Sequence, residues 1–215
     1  IIPKMNTYMK FIPESKILNS LINNKLYSFL KKKKMKTKYS GILDYGRNIN
    51  SAFLLVRSLF LPNEINELID QNTFKKGYIE LDVLNTLNKD ISNIKDTRLS
   101  IMYLEIKYYL CSKLLRDADW TSMANSIELR TPLVDWSFFN KLIPLIKNDN
   151  SINKKLASKS MKDKIPKDII NRKKTGFVIP HDLYLKKMSY KKEYANPIRD
   201  WSILSYEKYL QNKKN

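Results

Sequence analysis

The residues best suited to chemistry lie in one short stretch, residues 111–135 (CSKLLRDADWTSMANSIELRTPLVD), which we call the charged segment. Lysine is scarce in this stretch although it is abundant elsewhere, and the charges stand among small and apolar residues. They are Arg116, Asp117, Asp119, Glu128, Arg130 and Asp135. This setting predicts partial burial, and buried charges must be paired or take part in chemistry. Spacing alone leaves two interpretations open: a structural ion-pair network or a catalytic site.

A second group of charges lies about forty residues further on, in residues 171–177 (NRKKTGF), which we call the basic loop. Arg172, Lys173 and Lys174 precede Gly176, where the backbone can approach a ligand closely. Clustered cations of this kind can hold a polyphosphate and neutralise developing negative charge. In a lysine-rich chain the same residues also fit an ordinary solvated loop. His181, the single histidine, fits a helix cap or a surface position better than a base or a metal ligand.

Other classes of site have weak support or none. Asp117 and Asp119 lack a His or a third carboxylate nearby, so they are a weak indication of a metal site. The sequence contains neither a phosphate loop nor a dinucleotide-binding glycine pattern, and it has no Cys/His zinc spacing. The one cysteine, Cys111, excludes internal disulfides and fits a reducing cytoplasm. Its place on the apolar face of a predicted helix indicates core packing.

The elements that must position these residues are predicted to be mainly helical. Residues 99–115 give the strongest helical pattern, and its apolar stripe predicts a buried central helix capped by Asp96 or Thr97. A short helix is expected over residues 64–70, with Asn63 as its cap and Pro62 ending one helix or opening the next. Asp135 is expected to cap a helix that stops before Pro144. No repeat, domain linker or β alternation is evident.

The net charge of +19 is typical of nucleic-acid-binding proteins, yet the composition argues against that function. Lysine outnumbers arginine by 33 to 7, and Ile, Lys and Asn make up over a third of the chain. All three have AT-rich codons, so a coding bias toward A and T would raise all three without any selection for binding anions. The few arginines are then expected where planar, bidentate geometry matters. Arg57 lies in one further patterned stretch. No apolar run approaches the ~20 residues that cross a bilayer.

The pattern Arg116-Asp117-x-Asp119-x-x-x-Met123-x-x-x-x-Glu128-x-Arg130-x-Pro132-x-x-Asp135 resembles the C-terminal synthetase domain of glutamine-hydrolysing asparagine synthetases. Three further stretches agree in order: FLLVRSLFLPNEINEL, LEIKYYL and IPKDIINRKKTGFVIP. The resemblance covers residues 45–188. It implies one domain, with residues 1–44 as a leading segment and residues 189–215 as a basic tail. The implied fold is the helical C-terminal part of an α/β, adenine-nucleotide-hydrolase-like (ATP-pyrophosphatase) synthetase domain.

The resemblance also implies a reaction. Members of this family adenylate the side-chain carboxylate of aspartate with ATP and Mg²⁺, and ammonia released from glutamine then attacks the β-aspartyl-adenylate. Lys174 matches the family's lysine that holds phosphate or pyrophosphate, and Arg172 is its companion. Asp117, Asp119, Glu128 and Arg130 are implied to shape and brace the site. The expected setting is cytoplasmic.

The sequence also departs from the family's pattern. It lacks the Ser-Gly-Gly-x-Asp-Ser loop, the Ser-Gly-x-Gly-x-Asp-Glu segment and the N-terminal glutaminase domain with its cysteine. Trp120 stands where a basic residue is common. Most of the ATP and Mg²⁺ site is therefore expected outside this chain, supplied in cis or in trans. Two alternatives stay open: a related enzyme that amidates a cell-surface sugar or peptide, and a basic helical nucleic-acid-binding module.

Overall fold

A computed structural model describes residues 2, 15, 21–22, 24–25, 27–29, 40–149, 151–152, 154–160, 164–173, 179–191 and 193–214. These residues form helices and connecting turns, with no strand among them, so the prediction of a mainly α chain is confirmed. The chain divides into two compact units. Unit 1 comprises residues 1–107 and 179–215, and unit 2 comprises residues 108–178.

Unit 1 contains eight helices with defined bounds among its described residues. They are α1 (Ile42–Tyr45), α2 (Ile49–Arg57), α3 (Pro62–Leu68), α4 (Gln71–Leu81), α5 (Val83–Ile91), α6 (Thr97–Leu104), α11 (His181–Lys187) and α12 (Pro197–Lys214). Helices α2, α5 and α6 pack against one another. Their buried side chains include Phe53, Leu55, Leu87, Ile91 and Leu104.

Helix ends in unit 1 follow from capping chemistry. The carboxylate of Asp96 accepts a hydrogen bond from the Leu99 backbone N–H at 2.8 Å, which confirms the predicted cap of α6. Helix α3 begins at Pro62 rather than after Asn63, so the predicted Asn63 cap is wrong. The reason is that proline, with its fixed φ and no N–H, suits the first helical position.

The predicted central helix over residues 99–115 is two helices joined end to end. After α6, residues Glu105–Leu115 form a π-helix, and α-helical geometry resumes in α7 (Arg116–Met123). In a π-helix each backbone hydrogen bond spans five residues instead of four, so an apolar stripe spaced for an α-helix drifts around the axis. Leu104 is fully buried, whereas Cys111 is exposed, so the prediction that Cys111 packs in a core is wrong.

Unit 2 contains the rest of the π-helix, α7, a 3₁₀ turn (Pro132–Val134), α8 (Trp136–Asn148), α9 (Lys154–Ser160) and α10 (Lys167–Asn171). Asp135 caps α8 as predicted, accepting a hydrogen bond from the Phe138 N–H at 2.9 Å. The prediction that α8 stops before Pro144 is wrong, because the helix continues through it to Asn148. A proline inside a helix removes one backbone hydrogen bond and bends the helix, and it need not end it.

Candidate functional site

The first half of the charged segment lies on α7. Arg116 Nη2 and Asp117 Oδ1 are 3.5 Å apart, and the Arg116 guanidinium lies over the ring of Trp120 at 5.1 Å. Asp119 is exposed one turn further along the helix. Both side chains of the Arg116–Asp117 pair are about half exposed, 53% and 52%. This half of the segment therefore presents a cation, two carboxylates and an indole on a solvent-facing helix.

The second half of the charged segment follows a tight turn. Ser126 has a positive φ of 55°, and the Ile127 N–H donates back to the Ser122 carbonyl at 2.9 Å, which reverses the chain. Beyond the turn Arg130 donates two parallel hydrogen bonds to Glu128, from Nε to Oε1 at 3.0 Å and from Nη2 to Oε2 at 3.2 Å. This is the planar, bidentate geometry for which arginine is suited.

These pairs agree in part with the interpretation of the charged segment as a structural ion-pair network. The pairs expected of an ion-pair network are present, each between near neighbours in sequence. The expected partial burial is not found, because Glu128 and Arg130 are 69% and 82% exposed. The short reach of each pair explains the difference: neither pair ties the segment to a distant part of the chain. Among the described residues, no group of three acidic, His or Cys side chains could hold a metal ion.

The basic loop is described only at its start. Arg172 is the C-terminal cap residue of α10, and both Arg172 and Lys173 are exposed. Lys174 lies outside the described residues, so its predicted role in holding phosphate stays a prediction. His181 is the first residue of α11, directly after the cap residue Pro180, and its Nδ1 lies 3.0 Å from the Ile179 carbonyl oxygen.

Sequence reasoning missed two groups of charges in unit 1. Arg57 makes a bidentate ion pair with Glu105, and Lys107 Nζ lies 2.7 Å from Asp90 Oδ1. Because arginine is scarce in this chain, Arg57 was expected in a planar, bidentate contact, and its pairing with Glu105 agrees with that expectation. No local pattern marked Glu105, Asp90 or Lys107 as partners, since their contacts span 48 and 17 residues.

The second missed group is a buried charge cluster near the C-terminus. Arg199 forms an ion pair with Glu64 at 2.5 Å, and the side chains are 6% and 1% exposed. The guanidinium also lies over the rings of Phe60 and Tyr194, at 4.2 and 4.5 Å. The completely buried Asp200 accepts hydrogen bonds from two backbone N–H groups, of Glu193 at 2.8 Å and Tyr194 at 3.3 Å. Burial raises the pKa of the Tyr194 hydroxyl.

Comparison with known proteins defines the class. Residues 17–212 match the asparagine synthase family, so this chain belongs to that family. The match extends beyond residues 45–188 on both sides and includes the buried charge cluster.

A curated relative is asparagine synthetase [glutamine-hydrolyzing] 1 of Bacillus subtilis (strain 168), which is 33% identical over 108 residues. That alignment covers 49% of this chain and 17% of the relative. No solved structure matches the chain. No helix among the described residues is long and apolar enough to span a membrane.

Proposed function

We propose that this chain is part of an ATP-dependent ligase that converts aspartate to asparagine with ammonia derived from glutamine. The carrying observation is the family match over residues 17–212, which includes the charged segment and the basic loop. The relative's own name, a glutamine-hydrolysing asparagine synthetase, supports the choice of acceptor and nitrogen donor. Because the alignment covers about a sixth of that relative, the complete activity requires further polypeptide.

In this proposal the basic loop handles phosphate. Lys174 neutralises charge on the phosphates while the carboxylate of aspartate is adenylated, and Arg172 assists beside it. A positioned cation accelerates such a step because it stabilises charge that grows in the transition state. Asp117, Asp119, Glu128 and Arg130 shape the wall of the site. The ion pairs of Asp117 with Arg116 and of Glu128 with Arg130 support a bracing role over direct chemistry.

ATP would bring Mg²⁺ on its phosphates and supply the adenylyl group. The described residues offer no group of three ligands for the ion, and Asp117 is already paired with Arg116. None of the described residues is therefore proposed as a ligand of the ion. The remaining parts of the site are proposed to come from the family's ATP-loop and glutaminase regions, in cis or in trans.

The exposed apolar surface of unit 2 supports a need for such a partner. Among the described residues 108–173, none is buried. Large apolar side chains stand in solvent along the charged segment and the start of α8, with Leu133 72%, Trp136 71% and Trp120 65% exposed. An apolar surface of this kind is typical of an interface. We propose that the rest of the synthetase covers it.

The function is tested with the chain completed by the family's upstream regions. Aspartate-dependent pyrophosphate release is expected, and Lys174→Ala should abolish it while Lys173→Ala retains most of it. An unchanged rate in Lys174→Ala would remove Lys174 from the mechanism. Release that depends on an amino sugar or peptide acceptor instead of aspartate would replace asparagine synthesis with another amidation. Calorimetric titration of the isolated chain should show no micromolar binding of ATP with Mg²⁺.

A further inference from the structure

The start of the π-helix is held from two sides by ion pairs within unit 1. Glu105, its first residue, accepts two hydrogen bonds from Arg57 at the end of α2, one from Nε to Oε1 at 2.8 Å and a second from Nη2 to Oε2. Lys107 donates to both carboxylate oxygens of Asp90 on α5, at 2.7 and 2.8 Å. Residues two apart on a helix point in different directions. The two pairs therefore fix the helix against two different neighbours at one point.

That point is where the helical hydrogen bonding changes. Leu104, the last residue of α6, is completely buried, and the π-helix begins at the next residue. Each turn of a π-helix contains more residues than an α-turn, so the position of the switch sets the hydrogen-bond register of the residues that follow it in the π-helix. The π-helix runs without a break into α7, which carries Arg116, Asp117 and Asp119. A shift of the switch by one residue would change the backbone hydrogen bonds that lead into this helix.

The geometry points to a positioning function for these four residues, which we call the helix clamp: Arg57, Glu105, Asp90 and Lys107. The clamp sets the α-to-π switch and thereby the backbone hydrogen-bond register of the π-helix that continues into α7. Its role in catalysis rests on the proposed function, and its role in fixing the switch does not. None of the four residues is proposed to touch substrate.

General stabilisation is the competing explanation for the clamp, and the exposures argue against it. The side chains of Arg57 and Glu105 are 35% and 28% exposed, and those of Lys107 and Asp90 are 44% and 16% exposed. Partly exposed ion pairs contribute little to folding free energy. Two pairs that meet at one switch point nevertheless restrict rotation and translation of the helix together. The clamp is therefore expected to act locally, on the residues that follow it.

The first test measures hydrogen exchange in the isolated chain, with no assumption about activity. Arg57→Glu and Glu105→Arg should each speed exchange of the amides of residues 108–123 by about tenfold, a typical coupling for contacting charges. The double reversal should restore slow exchange, while the α2 core amides of residues 52–55 stay unchanged throughout. The matched control is the exposed Lys76–Glu80 pair of α4, 3.9 Å apart, whose reversal should change neither region.

Two results would contradict the positioning function of the clamp: unchanged exchange in residues 108–123, or an equal rise in residues 52–55, which would indicate general destabilisation.

The second test uses the completed enzyme. Each single reversal should lower kcat for pyrophosphate release with KM for ATP retained, and the double reversal should recover kcat. An enzyme without any pyrophosphate release would refute the proposed function and leave the exchange result standing. Normal kcat in both single reversals, with faster exchange, would remove the clamp's role in catalysis.

Discussion

The two units of this chain use charged residues in opposite ways. Apart from the exposed local pair Lys76–Glu80, the ion pairs described in unit 1 join segments far apart in sequence, 135 residues for Arg199 with Glu64 and 48 for Arg57 with Glu105. In unit 2 the pairs of the charged segment join neighbours, Arg116 with Asp117 and Glu128 with Arg130. Long-range pairs can hold a tertiary structure together, whereas neighbouring pairs only stiffen a local stretch.

The apolar residues divide in the same way. Unit 1 buries Leu55, Leu61, Leu104 and Leu185 completely, whereas no described residue of unit 2 is buried. Burial of apolar surface is the main favourable contribution to folding. Unit 1 thus has the contacts of a self-supporting core, whereas the described apolar side chains of unit 2 remain accessible to solvent. This contrast agrees with the proposal that the rest of the synthetase covers unit 2.

The contrast is tested most strongly by removing one buried charge. Arg199→Ala should lower the free energy of unfolding of unit 1 by about 3–5 kcal/mol, because it leaves Glu64 buried without its partner. Arg130→Ala, which breaks an exposed pair in unit 2, should change it by less than about 0.5 kcal/mol. Urea unfolding followed through Trp201, in a chain whose other two tryptophans are phenylalanine, would report on unit 1. Equal effects of the two substitutions would erase the distinction between the units.

A leucine in each unit provides the next comparison. Leu55→Ala should cost about 2–5 kcal/mol, because it leaves a cavity in a closed core. Leu133→Ala should be nearly neutral in the isolated chain, since the side chain is 72% exposed. If the rest of the synthetase covers unit 2, Leu133→Asp should weaken association with the missing regions in a pull-down, while Leu55→Val should not. Intact association in Leu133→Asp would place the interface elsewhere.

The sequence predicted the elements whose causes are local. The caps at Asp96 and Asp135 depend on side chains within a turn of the helix end, and the structure has them as expected. The π-helix was missed because an α-helical spacing of apolar residues does not report where hydrogen bonds change span.

The sequence selects a set of candidate site residues, whose roles stay predictions, and it does not predict their geometry. The family motif marked Arg116 to Asp135, yet nothing in that stretch revealed how exposed it is. The buried pair of Glu64 with Arg199 depends on two segments meeting at a distance of 135 residues in sequence. Such contacts follow from tertiary packing, and they cannot be predicted from any single short stretch of the sequence.

Alkaline pH should distinguish a partly buried tyrosine of unit 1, Tyr45, from an exposed one, Tyr209. Burial, with smaller contributions from Tyr78 and Asp44, raises the pKa of Tyr45 to about 12 from its ordinary value of 10.0. A raised pKa in the folded state stabilises the fold fully below pH 10, and this contribution is lost as pH rises toward 12. Unfolding of unit 1 should therefore become easier over that window, and Tyr45→Phe should flatten the change. The exposed Tyr209→Phe serves as control, and identical slopes in both variants would contradict the assignment.

The smallest expected effect on stability comes from Asp70, the exposed N-cap of α4 in unit 1. Hydrogen bonds from the Thr73 side chain, and then from the Thr73 and Asn72 backbone N–H groups, hold the pKa of Asp70 below its ordinary value of 3.8. A lowered pKa means that the carboxylate stabilises the fold above that value and that the contribution is lost as pH falls through the folded pKa. Asp70→Asn keeps a capping oxygen without the titration, so it should remove part of the acid sensitivity of unit 1 with little change at neutral pH. Asp135→Asn, which alters the cap of α8 in unit 2, should leave the acid unfolding of unit 1 unchanged. If both substitutions shifted that curve equally, the two units would unfold as one, and their separation would be limited to the folded state.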